Sequence, residues 1–195
     1  MKILDLGCGT AKVEGALGLD NIDIPGVDIV HDLLVFPYPL ENQSFDNIYL
    51  RNVIEHFHLN DLEKILKECS RILIPGGLLK ITVPHAFSIS GFTDPTHKQF
   101  FTFGTGQFWD REYHKSYYNE INSSWTMKST KCNNLVWFDW KHYQLRRLDK
   151  ILSSIMKKRI NRALKKVNNP SLADRILQKY SFQFVEIAWS FQKIK

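Results

Sequence analysis

The chain has 195 residues, 44% of them apolar and 13% aromatic, enough for one core that buries about 70% of the unfolded surface. Charged residues make up 24%, and no run approaches the roughly 20 apolar residues of a membrane-spanning helix, which excludes a helical integral membrane protein. The net charge of +6 hides a split: residues 1–85 carry 7 Lys/Arg against 12 Asp/Glu, and residues 86–195 carry 19 against 8. The two halves are expected to do different work.

The N-terminus, MKILDLGCGT, lacks an apolar h-region and a small-residue cleavage site, so no secretory signal peptide is expected. The cysteines, Cys8, Cys69 and Cys132, are odd in number and lack CxxC spacing. That pattern argues against a disulfide framework or a structural zinc and fits a reducing cytoplasm.

In chain order, short apolar runs alternate with helical or turn-rich pieces, the pattern of an α/β domain around a mostly parallel sheet. Lys2 to Leu6 reads as a strand that stops at Gly7. Ala16 to Leu19, closed by Asp20, is a second run, and Gly26 to Val30, leading into His31 and Asp32, a third. Phe45 to Leu50 is a fourth. Asn60 stands three residues before Glu63, a capping-box spacing, and Leu62, Ile65, Leu66, Cys69, Ile72 and Leu73 follow at helical intervals. Pro75-Gly76-Gly77 is expected to end that helix in a tight turn, and Leu78 to Val83 reads as a buried fifth strand.

Residues 86 to 120, rich in Phe, Tyr, Gly, Thr and His without a period, suggest a cover of loops and short helices. Trp125 to Phe138 can hold a strand. From Gln144, the residues Leu145, Leu148, Ile151, Leu152, Ile155, Ile160, Leu164 and Val167 keep helical spacing among many Lys and Arg, which predicts an amphipathic basic helix. Asn169-Pro170 breaks it, Ser171 to Lys179 reads as a short helix, and Phe182 to Ile194 as a last long strand.

The first strand ends in Asp5-Leu6-Gly7-Cys8-Gly9, where glycines let a chain turn sharply and a ligand approach the backbone. The third glycine of a dinucleotide fingerprint is missing. Acidic residues stand instead at three successive strand ends, Asp5, Asp20 and Asp32. Three carboxylates around one turn would repel a pyrophosphate and suit a ligand with a cationic end and hydroxyl donors, as S-adenosylmethionine has. The plainer alternative is an ordinary turn with aspartates that cap helices.

In the order LDLGCGT, LGLD, GVDIVHDL, PYPLENQSFDNIYLRNVIEHF and LEKILKECSRILIPGGLLKITVP, residues 2 to about 84 resemble the class I S-adenosylmethionine-dependent methyltransferases, and within them the type 11 domain. The resemblance implies a single domain over 1–195 with a Rossmann-like, mostly parallel seven-stranded sheet flanked by helices. Residues 1–85 would be the cofactor-binding core, 86–124 an acceptor-side cover, and 141–179 a basic helical insertion before the last strand. It further implies that Gly7, Cys8 and Gly9 face the methionine end of the cofactor, with Asp5 near its ammonium. Asp20 would hold the ribose hydroxyls and Asp32 with Leu33 the adenine. Asn52 and His56 follow the fourth strand, where relatives contact cofactor and acceptor. About ten residues separate Gly9 from Asp20, too few for a full helical connection, so the first connection is expected to be a loop or one turn.

Methyl transfer from a sulfonium is an in-line displacement that needs alignment, a dry pocket and, for a protonated nucleophile, a base. His56, His58, His85 and His97 are the candidates, because imidazole titrates near neutrality. His97 lies in Phe92-Thr93-Asp94-Pro95-Thr96-His97-Lys98, a segment similar to one that closes over the acceptor in relatives, and His97 and His56 are the expected catalytic pair. The alternative for His97 is a hydrogen bond to Asp94 that pins a loop. No metal is expected: His85, Asp94 and His97 could supply ligands but lack HxH or HxxxH spacing.

The basic helix over 145–167 has three readings. It packs on the sheet, it lies peripherally on an anionic membrane, or it follows nucleic-acid phosphates with Trp137, Trp140 and Tyr143 stacking on bases. The function that emerges is methylation of an oxygen or nitrogen on a small-molecule or glycan-like acceptor. Alternatives are an RNA methyltransferase and a non-catalytic cofactor-binding subunit of a partner.

Overall fold

The computed structural model describes residues 1–113, 124–136, 158, 162 and 184–194. The strands are β1 (Ile3–Leu6), β2 (Leu17–Asp20), β3 (Ile29–Val30), β4 (Phe45–Arg51), β5 (Leu73–Pro84), β6 (Trp125–Val136) and β7 (Phe184–Lys193), and they form one seven-stranded sheet in the order β3-β2-β1-β4-β5-β7-β6. The first five run parallel, and β7 is antiparallel to both β5 and β6. Helix α1 (Leu59–Ile72) joins β4 to β5. Helix α2 (Ile89–Thr93) and a 3₁₀ helix, Thr105–Trp109, follow β5.

The expected seven-stranded, mostly parallel architecture is present, and the connection from Gly7 to Ala16 contains turns and no helix. Two local expectations are corrected. Helix α1 starts at Leu59 behind His58, with no side-chain cap bond, so Asn60 and Glu63 do not form a capping box; Asn60 is the second residue of the helix and Glu63 the fifth. Pro75-Gly76-Gly77 does not close the helix either, since Leu73 already pairs with Phe45 and the strand runs through these residues with a register shift, Gly76 taking φ 81°. The expected basic helix over 145–167 and the insertion 141–179 lie outside the described residues, apart from Lys158 and Arg162, both helical and exposed.

The sheet is strongly one-sided. Leu4 and Leu6 on β1, Ile48 and Leu50 on β4, Leu79, Ile81 and Val83 on β5, and Ile187, Trp189 and Phe191 on β7 are all fully buried, in one cluster with Leu62, Ile65, Leu66, Cys69 and Ile72 of α1. Alternation along each strand puts the other set, Tyr49, Lys80, Thr82, Ala188 and Ser190, on the opposite face, where every one is half-buried. Polar pairing suits that face: Lys80 Nζ donates to the Tyr49 hydroxyl at 2.8 Å. Beyond β5, Phe101 and Trp109 pack edge-on against Trp189, at ring separations of 5.8 and 5.6 Å, extending the cover over the apolar face.

One polar clasp holds the β3–β4 connection to α1. Glu68, 8% exposed, accepts from the Tyr38 amide at 2.7 Å and from Arg71 at 2.6 to 3.0 Å. Arg71 also donates to the carbonyls of Leu40 and Tyr38 and to Asn42 Oδ1. The Arg71 guanidinium keeps the Glu68 carboxyl below its ordinary range against the opposing effect of burial. Glu68→Ala is expected to lower the unfolding free energy by about 2–3 kcal/mol. Urea titration checks this; a midpoint equal to that of the parent chain would mean that the clasp holds nothing.

Candidate active site

The strand order reverses between β1 and β4: from β1 the chain builds outward to β2 and β3, and from β4 to β5. In open α/β sheets the crevice at the carboxyl ends of two such strands is where ligands bind. Every residue singled out on β1, β2, β3 and β4 lies at that edge.

Gly7 (φ 67°) and Gly9 (φ 51°) take left-handed backbone conformations that favour glycine. Gly7 donates to the Leu19 carbonyl at 2.7 Å, and Gly9 donates to Asp20 Oδ2 at 2.8 Å, so the turn is clasped to β2. The two glycines differ in their surroundings. A Cβ on Gly7 would lie 2.6 Å from Val53 Cγ2, while a Cβ on Gly9 would meet nothing within 4 Å. Gly7 is therefore required by packing, and Gly9 opens onto free space. Cys8, 4% exposed, turns inward, and its thiol is pushed up by burial and by Asp5 and Asp20.

Asp5 is fully buried, and its Oδ2 accepts from the Val13 amide at 2.8 Å and from Arg51 Nη2 at 2.6 Å. Arg51 also donates to the Ala11 carbonyl. The three carboxylates read at this edge therefore differ in what meets their charge. Asp5 is charge-compensated and anchors the loop over 10–13, although its Oδ1 is buried without a hydrogen-bond partner. The negative charge at the edge comes from Asp20 and Asp32. Asp32 Oδ1 accepts from the Leu34 amide at 2.9 Å, and the buried Leu33 offers its carbonyl to the Tyr38 hydroxyl at 3.0 Å.

After β4, Asn52 takes φ 54°, donates its amide to the Thr82 carbonyl at 2.8 Å and its Nδ2 to Glu186 Oε1 of β7 at 3.1 Å. The 3₁₀ turn Ile54–His56 follows. The Glu55 carbonyl accepts from the amides of Lys98 and Gln99, at 2.7 and 3.1 Å, which brings the segment 94–99 back over the turn. His56 and His97 meet there edge to face, ring centres 4.9 Å apart. His56 Nδ1 lies 2.9 Å from Thr96 Oγ1, and Thr96 Oγ1 donates to Asp94 Oδ1 at 2.6 Å. His97 Nδ1 lies 2.9 Å from the Gly91 carbonyl. Burial and the neighbouring His97 hold the His56 imidazole below its ordinary range.

The structure brings His56 and His97 together and keeps the other two candidates apart. His58 is exposed ahead of α1, and His85 is buried with its Nδ1 accepting from the Phe87 amide at 3.2 Å. The His97 ring makes no hydrogen bond to Asp94, whose Oδ2 is 4.0 Å from Nε2; the loop is pinned instead by the His97 amide, which donates to the Asp94 carbonyl at 3.3 Å, and by Thr96, which donates to Asp94 Oδ1 through both its amide and its hydroxyl. Sequence reasoning missed Arg51, Thr96, Glu186 and, above all, Glu55. Glu55 is 1% exposed, neither carboxylate oxygen has a hydrogen-bond partner among the described residues, and burial pushes its carboxyl up to about 8. The one signal for it was an acidic residue inside the otherwise apolar Val53-Ile54-Glu55-His56-Phe57.

Residues 4–81 match the family of the methyltransferase domain. No curated protein matches the chain. Among solved structures, it is similar to a SAM-dependent methyltransferase from Archaeoglobus fulgidus, at 17% identity, with a TM-score of 0.55 and coverage of 98% of this chain and 86% of that one. A SAM-dependent methyltransferase from Methanosarcina mazei aligns at 13% identity and a TM-score of 0.54, covering 99% and 92%. The [4+2]-cyclase SpnF aligns at 14% identity and a TM-score of 0.51, covering 99% and 74%. At these identities the shared property is the fold.

The contrast between the glycines is testable. Gly7→Ala is expected to cost about 2–4 kcal/mol, from left-handed strain plus the Val53 collision, and Gly9→Ala only about 1–2 kcal/mol from strain. In denaturant titrations, Val53→Ala combined with Gly7→Ala should recover part of the loss. Strict additivity of the two would show that the contact is not the cause.

Proposed function

We propose that this chain, a class I methyltransferase in its matched core and its sheet, moves a methyl group from S-adenosylmethionine to an oxygen or nitrogen of a small-molecule or glycan-like acceptor. The observation that carries the reading is the glycine turn at the strand-order reversal, clasped to Asp20 and open in front of Gly9. A sulfonium cofactor fits these residues, because the edge combines room at a backbone turn with carboxylates at the ends of β2 and β3 and a buried unpartnered oxygen on Asp5.

S-adenosylmethionine supplies an electrophilic methyl group carried on a positively charged sulfur. This chain's residues bind and align. Gly7, Cys8 and Gly9 border the methionine end, Asp20 takes the ribose hydroxyls, and Asp32 with Leu33 borders the adenine. Asn52, fixed by Thr82 and Glu186, stands between cofactor and acceptor. Asp5, tied to Arg51, holds the loop of the first connection in place, an indirect service to the ammonium end. In the displacement an acceptor lone pair forms the new bond to carbon as the carbon–sulfur bond breaks, and the acceptor's proton leaves. His56 and His97 are the groups that handle that proton.

The parts of the chain divide accordingly. Residues 1–85 form the cofactor-binding core and 86–124 the acceptor-side cover, where Phe92 and Phe100 stack at 4.9 Å and stand exposed. Residues 141–179 supply the basic insertion, whose exposed Lys158 and Arg162 suit an anionic or membrane-borne acceptor. No helix among the described residues is long and apolar enough to cross a membrane. The free thiols of Cys8 and Cys69 fit a reducing compartment such as the cytoplasm.

Calorimetric titration of the purified chain with S-adenosylmethionine is expected to show saturable binding. Asp20→Ala should weaken it roughly ten- to a hundredfold, the loss of charge-assisted hydrogen bonds to two hydroxyls. No heat of binding, or equal affinity in the variant, would reject the assignment. With binding in hand, isotope-labelled cofactor and cell extract identify the acceptor by mass shift. Transfer of label to RNA, with steeply salt-dependent binding, would redirect the reading to nucleic acid.

A further inference from the structure

We propose that Glu55, His56 and His97 form a site for a divalent first-row transition ion, with coordination positions left open for oxygens of the acceptor. One carboxylate and two imidazoles make a ligand set of borderline softness that suits manganese, iron, cobalt or zinc, and three protein ligands leave room for substrate. The candidate ligand atoms all lie within 4.8 Å of one another. Three ligands about 2.1 Å from one ion at tetrahedral or facial angles stand roughly 3–3.5 Å apart, so side-chain rotations that move the ligand atoms by about an ångström close the set.

Two independent observations, and the arrangement that the second makes, point to a cation. First, Glu55 is buried with both carboxylate oxygens unpartnered, and no Lys or Arg side chain pairs with it among the described residues. A buried carboxylate without hydrogen bonds or counter-charge is costly, and a bound cation removes the cost. Second, the hydrogen bonds fix both histidine tautomers. Thr96 Oγ1 has one proton, which goes to Asp94, since a carboxylate only accepts. It therefore accepts from His56 Nδ1–H. His97 Nδ1 faces the Gly91 carbonyl, which also only accepts. Both Nδ1 atoms carry the proton, and both Nε2 atoms present a lone pair. This is the outer-shell arrangement that orients metal-bound histidines: one ring nitrogen on a carbonyl or, here through Thr96, on a carboxylate, and the other free to ligate.

The site arises from the fold. Glu55 and His56 are adjacent on the 3₁₀ turn after β4, and His97 is brought over them by the two amides that bind the Glu55 carbonyl. An ion there would take an acceptor hydroxyl as a ligand and lower its pKa. With the ion in place His56 and His97 serve as its ligands and do not themselves take the proton; the hydroxyl proton leaves to solvent, and the oxygen lone pair, still held by the ion, attacks the methyl carbon as the carbon–sulfur bond breaks. This use rests on the methyl-transfer reading and narrows it to oxygen acceptors, with neighbouring hydroxyls of a sugar able to fill two positions. The site itself does not depend on that reading.

The test is cobalt(II) binding to the full chain, followed by equilibrium dialysis with elemental analysis and by visible ligand-field absorption. One ion per chain is expected. Glu55→Gln and His97→Ala should each lower its affinity by about a hundredfold or more, and Thr96→Val, which removes the His56 partner together with the hydroxyl bond to Asp94, by roughly 10–100-fold. His58→Ala, outside the cluster, should change nothing, and circular dichroism melts identify any variant that fails to fold; Thr96→Val then carries the comparison. No cobalt uptake, or equal uptake by the parent chain and Glu55→Gln, overturns the proposal. Calorimetry with S-adenosylmethionine on the same samples separates the two readings. Cobalt without cofactor binding upholds the site and ends the methyl-transfer assignment, and cofactor without cobalt does the reverse.

Discussion

Burying Asp5 at the end of β1 sets a constraint that the rest of the edge satisfies. A carboxylate with no solvent exposure must be met by donors, and Arg51, at the end of the neighbouring β4, meets it at 2.6 Å, with the Val13 amide as a second donor. Because Arg51 also reaches the Ala11 carbonyl, one ion pair ties together β1, β4 and the loop that replaces the first helix. The glycine turn lies inside that frame, between Val53 on one side and Asp20 on the other. The geometry of the crevice at this edge is thus set by an ion pair whose charge is spent within the chain.

The same logic explains the two faces of the sheet. Helix α1 and the aromatic segment around Phe101 and Trp109 bury one face completely, and there the strands spend Leu, Ile, Val, Trp and Phe. Opposite, the described strands carry Tyr49, Lys80, Thr82 and Ser190, which accept partial wetting, and Lys80 donates to Tyr49. A parallel sheet covered by helices on both sides would show continuous apolar runs. Here the alternation within β5 is that of a sheet with one dominant core.

Much of this was legible in the chain. Strand positions followed from apolar runs closed by Gly or Asp, and the α1 stripe from its 3.6-residue period, because both reflect burial, which is local in sequence. The short first connection followed from counting residues. Three things were not legible. The cap of α1 depended on where the chain entered the helix, so Asn60 and Glu63 fell one turn position too late. The partner of Asp5 lies 46 residues away, and a sequence read strand by strand treats that aspartate as free. Glu55 was read as part of a family motif, since nothing local distinguishes a solvated glutamate from one enclosed by a segment that returns 40 residues later. The histidine pair was anticipated as two separate candidates, and its tautomers emerged only from the contacts of Thr96 and Gly91.

The Asn52–Glu186 contact spans 134 positions, and it gives this end of the sheet a place in time as well as in space. During synthesis the parallel strands β1 to β5 can pair while the remainder of the polypeptide is still on the ribosome. Asn52 then waits for β7, which follows β6 in the chain and inserts between β5 and β6 rather than at an outer rim. The glycine-turn edge of the parallel strands can therefore be complete before Asn52 has its partner, so that this end of the sheet is assembled in two stages, with the antiparallel strand β7 as the closing piece.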